Sequence, residues 1–390
     1  MVDIIFRMHY NDAMNKIEML RRHFGDVETT KPHKGYYYRV KDALMIAILG
    51  NLCGLSDMKD IHQWSSNPSI QGFLRETFEI YYFPCYSWFT LLMRLIDSEW
   101  LNRRFSALWQ QLLPKDRSKT TISLDGKTIR STEAMEEYEL PMHIVSAQIA
   151  ELGITIGQLA VEGKTNEIPT VRALLEMLDV QGCLVVADAL NCQRKTAETV
   201  IRKGADYLFS VKDNQENLKD DIEEYVQDKE LQATMETATK TEIRSDRKET
   251  RTAYVSTDIN WMPDKDKWAN LACFGAIHTS FVTKNRTSSE WHYYISSRSL
   301  TAKELLYHAR AEWSVEVLHW FLDVHWNEDG SKTRDENLLK VQNVLKKNAL
   351  NLITVFKKTN NIKTPISRIL FANLLDCSRL VDFLDCRLQN

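Results

Sequence analysis

No two cysteines of this 390-residue chain stand at C-x-x-C spacing, and the seven present (Cys53, Cys85, Cys183, Cys192, Cys273, Cys377, Cys386) are an odd number. That excludes a thiolate zinc site and a disulfide framework, and it fits a reducing compartment. Net charge is almost absent as well, because 50 Lys and Arg against 53 Asp and Glu leave −3. No global field draws the chain to a polyanion, and any such patch must be local. Long apolar runs are missing: ALMIAILGNLCGL over 43–55 is broken by Asn51 and is too short to cross a bilayer. The opening MVDIIFRMHYNDAMNK lacks the charged-then-apolar order of an export signal. A cytoplasmic protein with no membrane partner is expected. Repeats, low-complexity tracts, a G-x-x-x-x-G-K-[ST] phosphate loop and an H-E-x-x-H zinc helix are all absent.

What is present is a 44% apolar content, enough for one large core or two to three domains. Organisation follows from changes in hydrophobic period. Over 1–115 apolar residues recur at i, i+3, i+4 in YYYRVKDALMIAILGNLCGL, SDMKDIHQWSS and SWFTLLMRLIDSEWLNRRFSALWQQLL, which predicts a helical region with Ser56 or Asp57 as a cap and a boundary at Pro114. From 116 to 225 the period changes, and TTISLDG, HIVSAQIA, GITIGQLAVEG, IPTVRALLEML, CLVVADAL, RKTAETVIRKG and ADYLFSV read as β-β-β-α-β-α-β. Short links between the first three strands predict antiparallel pairing. The later strand-helix-strand steps predict parallel crossovers, so the fold class is α/β with a mixed sheet flanked by helices. Residues 226–298 are polar with short β-prone pieces, as a β-rich insertion would be. Over 299–390 helix returns, with Thr301 capping a long one.

Three separated carboxylate regions stand out. Asp125 ends the run ISLD, Asp188 follows LVVA, and EWSVEVLHWFLDVHWNED supplies several acids downstream. Such a set suits two divalent cations and phosphoryl transfer. Each has a plainer reading: Asp125-Gly126 is a common turn pair, Asp188 is a helix N-cap, and acids on a helix usually face solvent. Glu312, Glu316 and Asp323 fall at i, i+4 and i+11 on one side of the helix beside an apolar stripe of Val315, Leu318 and Leu322, so one of them can face the sheet. His319 reads as a packed or DNA-facing side chain rather than a metal ligand.

LDGKTIRST, HIVSAQIAELGITIGQLAVEGKTNEIPTVRALLEMLDVQGCLVVADALNCQRKTAETVIRKGADYLFSVKDNQENL and EWSVEVLHWFLDVHWNED resemble the H-repeat-associated, ISAs-type DDE transposases of bacterial insertion sequences over nearly the whole chain. The resemblance implies an RNase H-like core with Asp125, Asp188 and Glu316 as catalytic, metal-binding acids, the last carried by the Trp313–Glu316 element. It also implies that the N-terminal helices are the family's associated domain. The family usually has His-Trp and Ile-Glu-Asn where this chain has Glu312-Trp313 and Val315-Glu316-Val317.

The implied activity is metal-dependent transposition, with an endonuclease step at the ends of an insertion sequence and joining to target DNA. Hard oxygen ligands suit Mg²⁺ or Mn²⁺, two ions in all. The expected partner is double-stranded DNA bound by a homodimer, in the cytoplasm at the nucleoid. A catalytically silent DNA-binding protein and an RNase H-like nuclease without strand transfer stand beside this reading. Lys127, Arg130, Lys164, Asn166, Gln193, Lys212 and Asn214 lie in the resembling motifs near strand ends and are expected to position phosphates. Residues 331–370 hold nine Lys and Arg against Asp335 and Glu336, so Lys346 and Lys347 are expected on a DNA-facing surface.

Overall fold

The structure, a computed structural model, describes residues 22–31, 37–161, 167–244, 247–283 and 286–384, apart from the side chains of residues 244 and 312–314. Lys164, Asn166, Cys386 and the N-terminal sixteen residues discussed above lie outside the described residues, as do the side chains of Glu312 and Trp313.

Five helices come first: α1 Val40–Leu52, α2 Met58–Ser65, α3 Pro68–Phe78, α4 Tyr86–Leu95 and α5 Ser98–Gln110. Of the two candidate caps it is Asp57 that opens α2, accepting from the Lys59 amide at 2.7 Å. The stretch read as one helical run, SWFTLLMRLIDSEWLNRRFSALWQQLL, is two helices. Ile96 is extended, and Asp97 accepts from the Trp100 amide at 2.8 Å, so a side-chain cap restarts the helix within one apolar pattern.

A nine-stranded sheet follows in the order β3-β2-β1-β4-β5-β9-β8-β7-β6. Its first five strands are β1 Thr121–Thr128, β2 His143–Ile149, β3 Ile154–Ala160, β4 Leu184–Ala187 and β5 Asp206–Val211. β1, β2 and β3 pair antiparallel, while β1, β4 and β5 pair parallel. The crossovers are α6 Glu167–Met177 and α7 Arg194–Arg202. This is the expected mixed sheet flanked by helices.

The strands of the β-rich region are β6 Glu236–Arg244, β7 Arg247–Ser256, β8 Cys273–Val282 and β9 Thr287–Ser296. They do not form a sheet of their own. β9 pairs antiparallel with β5 from Leu208↔Ser296 to Val211↔Tyr293, so the region extends the core sheet and covers an edge that β5 would otherwise expose.

α8 Glu216–Gln227 lies against β8 and β9. The long helix α9, Ala302–Trp326, begins with a full capping box: Thr301 accepts from the Glu304 amide at 3.2 Å, and Glu304 accepts from the Thr301 amide at 2.9 Å. Val315, Leu318 and Leu322 are its buried stripe, and they seat it across β1 and β4. Next come α10 Glu336–Thr359 and α11 Ile366–Leu375.

α10 corrects one expectation. It is not a basic surface helix but the spine between the two halves, packed against α1, α4, α5 and β3. Asn351 ties it to β3 by donating to the Thr155 carbonyl at 2.7 Å and accepting from the Thr155 amide at 2.9 Å. Lys346 and Lys347 are 3% and 2% exposed, because their positions fall on the face that this packing buries. Neither reaches a phosphate.

Candidate active site

β1 continues straight through Asp125 and Gly126, which pair with Ser146 and Val145 of β2. The Asp-Gly turn reading therefore fails: the dipeptide is mid-strand. Glycine is required there by close approach, because a Cβ on Gly126 would collide with the Glu167 carboxylate and the His143 ring. Leu124 of β1 stands opposite Ala187 of the parallel strand β4. Asp125 and Asp188 are the next residues along the two chains: Asp125 lies mid-strand where the β4 pairing of β1 stops, and Asp188 lies just past the carboxyl end of β4, where α/β sheets place ligands. Asp188 also does what its plainer reading proposed. Its carboxylate caps the short turn Ala189–Asn191, accepting from the Asn191 amide at 3.2 Å and the Asn191 side chain at 3.0 Å.

Glu316 arrives from α9. It is exposed, one residue after the buried Val315. The two rival acids on the same stretch are engaged elsewhere. Asp323 accepts from the Lys127 ammonium at 2.7 Å, and Glu328, 2% exposed, accepts from it at 2.8 Å.

Electrostatics join the three acids. Burial, then the negative charges of Glu167 and Asp188 and also of Glu316, push the Asp125 carboxyl up to about 7 from an ordinary 3.8. Beside it stands His319, whose Nδ1 is 3.4 Å from Asp125 Oδ2. Burial and then the Lys347 ammonium push that imidazole down to about 3, so at neutral pH it is uncharged and leaves the surplus of negative charge uncompensated.

A pH dependence of stability follows. Between pH 4 and 7 the folded chain holds a proton on Asp125 that the unfolded chain has lost, so stability falls as pH rises through that window. In urea unfolding without divalent cations, Asp125→Asn should be more stable than the parent at pH 8 by roughly 1–2 kcal/mol, the full linkage value being reduced by solvent screening, and no more stable at pH 4. Equal stability at pH 8 would show that the acids do not repel one another.

Among the described residues no three His, Cys, Asp or Glu side chains stand close enough together to hold a metal ion as they are. The donor set nevertheless fits a hard divalent cation: all three acids offer oxygen, and the charges of Glu167, Asp188 and Glu316 add to burial in raising the Asp125 carboxyl.

Several residues of the site had no signal in periodicity or composition. Glu167, the first residue of α6, accepts from Asn191 Nδ2 at 2.7 Å and is 2.8 Å from His143 Nε2. Burial opposes its charge, but the hydrogen bonds from His143 and Asn191 outweigh it and hold the carboxyl below its usual range. Of the residues expected to meet phosphates, Lys127 is instead held by Asp323, Glu328 and Asp329. Arg130 stays largely exposed, 3.5 Å from Asp329. Gln193 and Asn214 donate to the Leu190 and Ala189 carbonyls and so brace the Asp188 turn, and Lys212 is exposed beside them.

The sheet thus carries Asp125 mid-strand on β1, Asp188 just past the adjacent parallel strand β4, and Glu316 on the helix laid across both. The chain matches the family model described as Transposase DDE domain over residues 116–352 and belongs to that family. It is 36% identical over 252 residues to "Putative transposase YncI" of Escherichia coli O157:H7, a match covering 63% of this chain and 64% of that protein. It is 32% identical over 262 residues to "H repeat-associated putative transposase YhhI" of Escherichia coli K12, covering 64% and 68%. A piggyBac transposase synaptic complex with hairpin DNA aligns at 10% identity and a TM-score of 0.41, over 97% of this chain and 80% of that one. No helix of the described residues is long and apolar enough to cross a membrane.

Proposed function

We propose that this chain is a DDE transposase that cuts the ends of an insertion sequence and joins them to target DNA, with Asp125, Asp188 and Glu316 as the catalytic acids. The observation that carries the reading is the placement of Asp125 and Asp188 one residue beyond the paired Leu124 and Ala187 on adjacent parallel strands, beneath the helix α9 that bears Glu316; burial, then the charges of Glu167 and Asp188, push the Asp125 carboxyl up to about 7 there. A site that costs this much charge repulsion suits a cation.

Asp125 and Asp188 would hold Mg²⁺ or Mn²⁺ from the sheet and Glu316 from the helix. When bound, such ions activate an attacking hydroxyl and stabilise the leaving oxygen. The chain's own residues supply the frame. The strands fix the two aspartates, neutral His319 adds no competing cation, and Gln193 and Asn214 brace the Asp188 turn. A groove of about 930 Å³ beside Glu316 is lined by Lys240, Arg251, Lys303 and Arg310 with the exposed Tyr307; Lys240 and Arg310 are paired with Glu242 and Arg251 with Glu249, and exchange of those acids for phosphates would suit a DNA strand. The partner is double-stranded DNA, bound as a homodimer in the bacterial cytoplasm.

The test is incubation of the protein with DNA carrying the element's ends and Mg²⁺. Cleavage followed by 3′-end joining is expected, and both should disappear with EDTA. Cleavage without joining would mean a nuclease, and DNA binding without cleavage a silent binding protein.

A further inference from the structure

A fourth acid acts on Asp125. Glu167 contributes the largest charge effect on Asp125, ahead of Asp188 and Glu316. It is not loose. Thr128 Oγ1 lies 2.9 Å from His143 Nδ1, and His143 Nε2 lies 2.8 Å from Glu167 Oε2. The other carboxylate oxygen accepts from Asn191 Nδ2 at 2.7 Å, and the same nitrogen donates to Asp188 Oδ1 at 3.0 Å. A continuous polar chain thus runs from the end of β1, through β2 and the first residue of α6, to the Asp188 turn. Gly126, the residue after Asp125, is the only type that fits beneath it. Asn191 is fully buried, its Oδ1 has no hydrogen-bond partner among the described residues, and both hydrogen bonds that its Nδ2 donates go to the two acids.

We infer that Glu167 is a positioning residue of the cation site: held by His143, it orients Asp188 through Asn191 and adds a fourth negative charge next to Asp125. The inference rests on the assignment of Asp125 and Asp188 as cation-holding acids and extends it to a residue outside the triad. Partners that orient metal ligands are worth about 10–100-fold in metal affinity, so the effect is large enough to read without DNA.

Mn²⁺ binding to the full chain, free of DNA, is measured by calorimetry and by the electron paramagnetic resonance signal of free Mn²⁺. Glu167→Gln, close in shape but uncharged, should weaken Mn²⁺ about tenfold while its thermal melt stays cooperative. His143→Gln, which leaves the charge but frees it to move, should weaken Mn²⁺ by a smaller factor, about threefold. Glu176→Gln, on the exposed end of α6 and paired with Arg202, should change nothing. Wild-type Mn²⁺ affinity in Glu167→Gln overturns the inference. If that variant does not fold, wild-type affinity in His143→Gln overturns it instead. Asp125→Asn and Asp188→Asn separate the two levels. Loss of Mn²⁺ in these variants alone leaves the triad standing and removes Glu167, whereas unchanged binding in all of them removes the cation site itself.

Discussion

Asp125→Asn, Asp188→Asn and Glu316→Gln should each lose DNA cleavage by about 10³-fold or more, as residues acting as one unit do. DNA binding and fold should survive. Neutralising Asp125 relieves repulsion from Glu167, Asp188 and Glu316, and Glu316 is exposed, so its amide leaves no buried group unpaired. Asp323→Asn is the informative comparison. It loses an ion pair with Lys127 that Glu328 and Asp329 still provide, and cleavage should fall by less than about tenfold. The measurement is gel-resolved cleavage of end-containing DNA at saturating Mg²⁺. If Glu316→Gln cleaves normally and Asp323→Asn is dead, α9 delivers its acid two turns further on.

How far residues alone led is visible at each acid. Asp125 and Asp188 were legible because each closes a short apolar run in a β-β-β-α-β order, which led to the expectation of neighbouring strands that the β1–β4 pairing meets, although β1 itself continues past Asp125. Glu316 was less so. Helical spacing leaves Glu312, Glu316 and Asp323 on one side, and only the resemblance selected among them. The structure adds that Asp323 and Glu328 are bound to Lys127. Glu167, His143 and Asn191 were invisible for a physical reason: they come from a helix start, a strand start and a turn, and no period relates them. Their sole signal was their position inside the quoted motifs. The two-helix break at Asp97 was missed because an apolar stripe continues across it, and a cap is a single side-chain hydrogen bond.

The misplacement of Lys346 and Lys347 has a cause that yields the largest expected effect on stability. Counting charges along 331–370 treats each lysine as solvated, whereas α10 is buried on nearly every side. Both ammonium groups are stabilised by Glu328, in the loop after α9. Burial opposes ionisation of Glu328, but the charges of Lys347, Lys127 and Lys346 outweigh it and hold the carboxyl below its usual range. Glu328 also accepts from Asn343 Nδ2 at 2.5 Å. Lys347 donates to Ser146 Oγ at 2.6 Å, opposite Asp125 in the sheet, and burial followed by repulsion from Lys127 brings it down to about 8 despite the attraction of Glu328. The buried Glu328 carboxylate is therefore the acid common to three lysines, joined by Asp323 and Asp329 at Lys127, by Asp57 at Lys346 and by Asp125 at Lys347.

Glu328→Gln should destabilise the fold by about 3–5 kcal/mol at pH 7, since removing one partner of a buried ionic group leaves the others uncompensated. The loss should shrink above pH 8, where Lys347 sheds its proton in the folded state more readily than in the unfolded one and stability rises with pH. Adding Lys347→Met to Glu328→Gln should recover part of the loss, because a buried charge is then replaced by an apolar chain of similar length. Urea unfolding of the two variants and the parent measures this directly. A Glu328→Gln protein as stable as the parent, or a double variant no better than the single one, would mean that these lysines reach water and that α10 is not the spine of the fold.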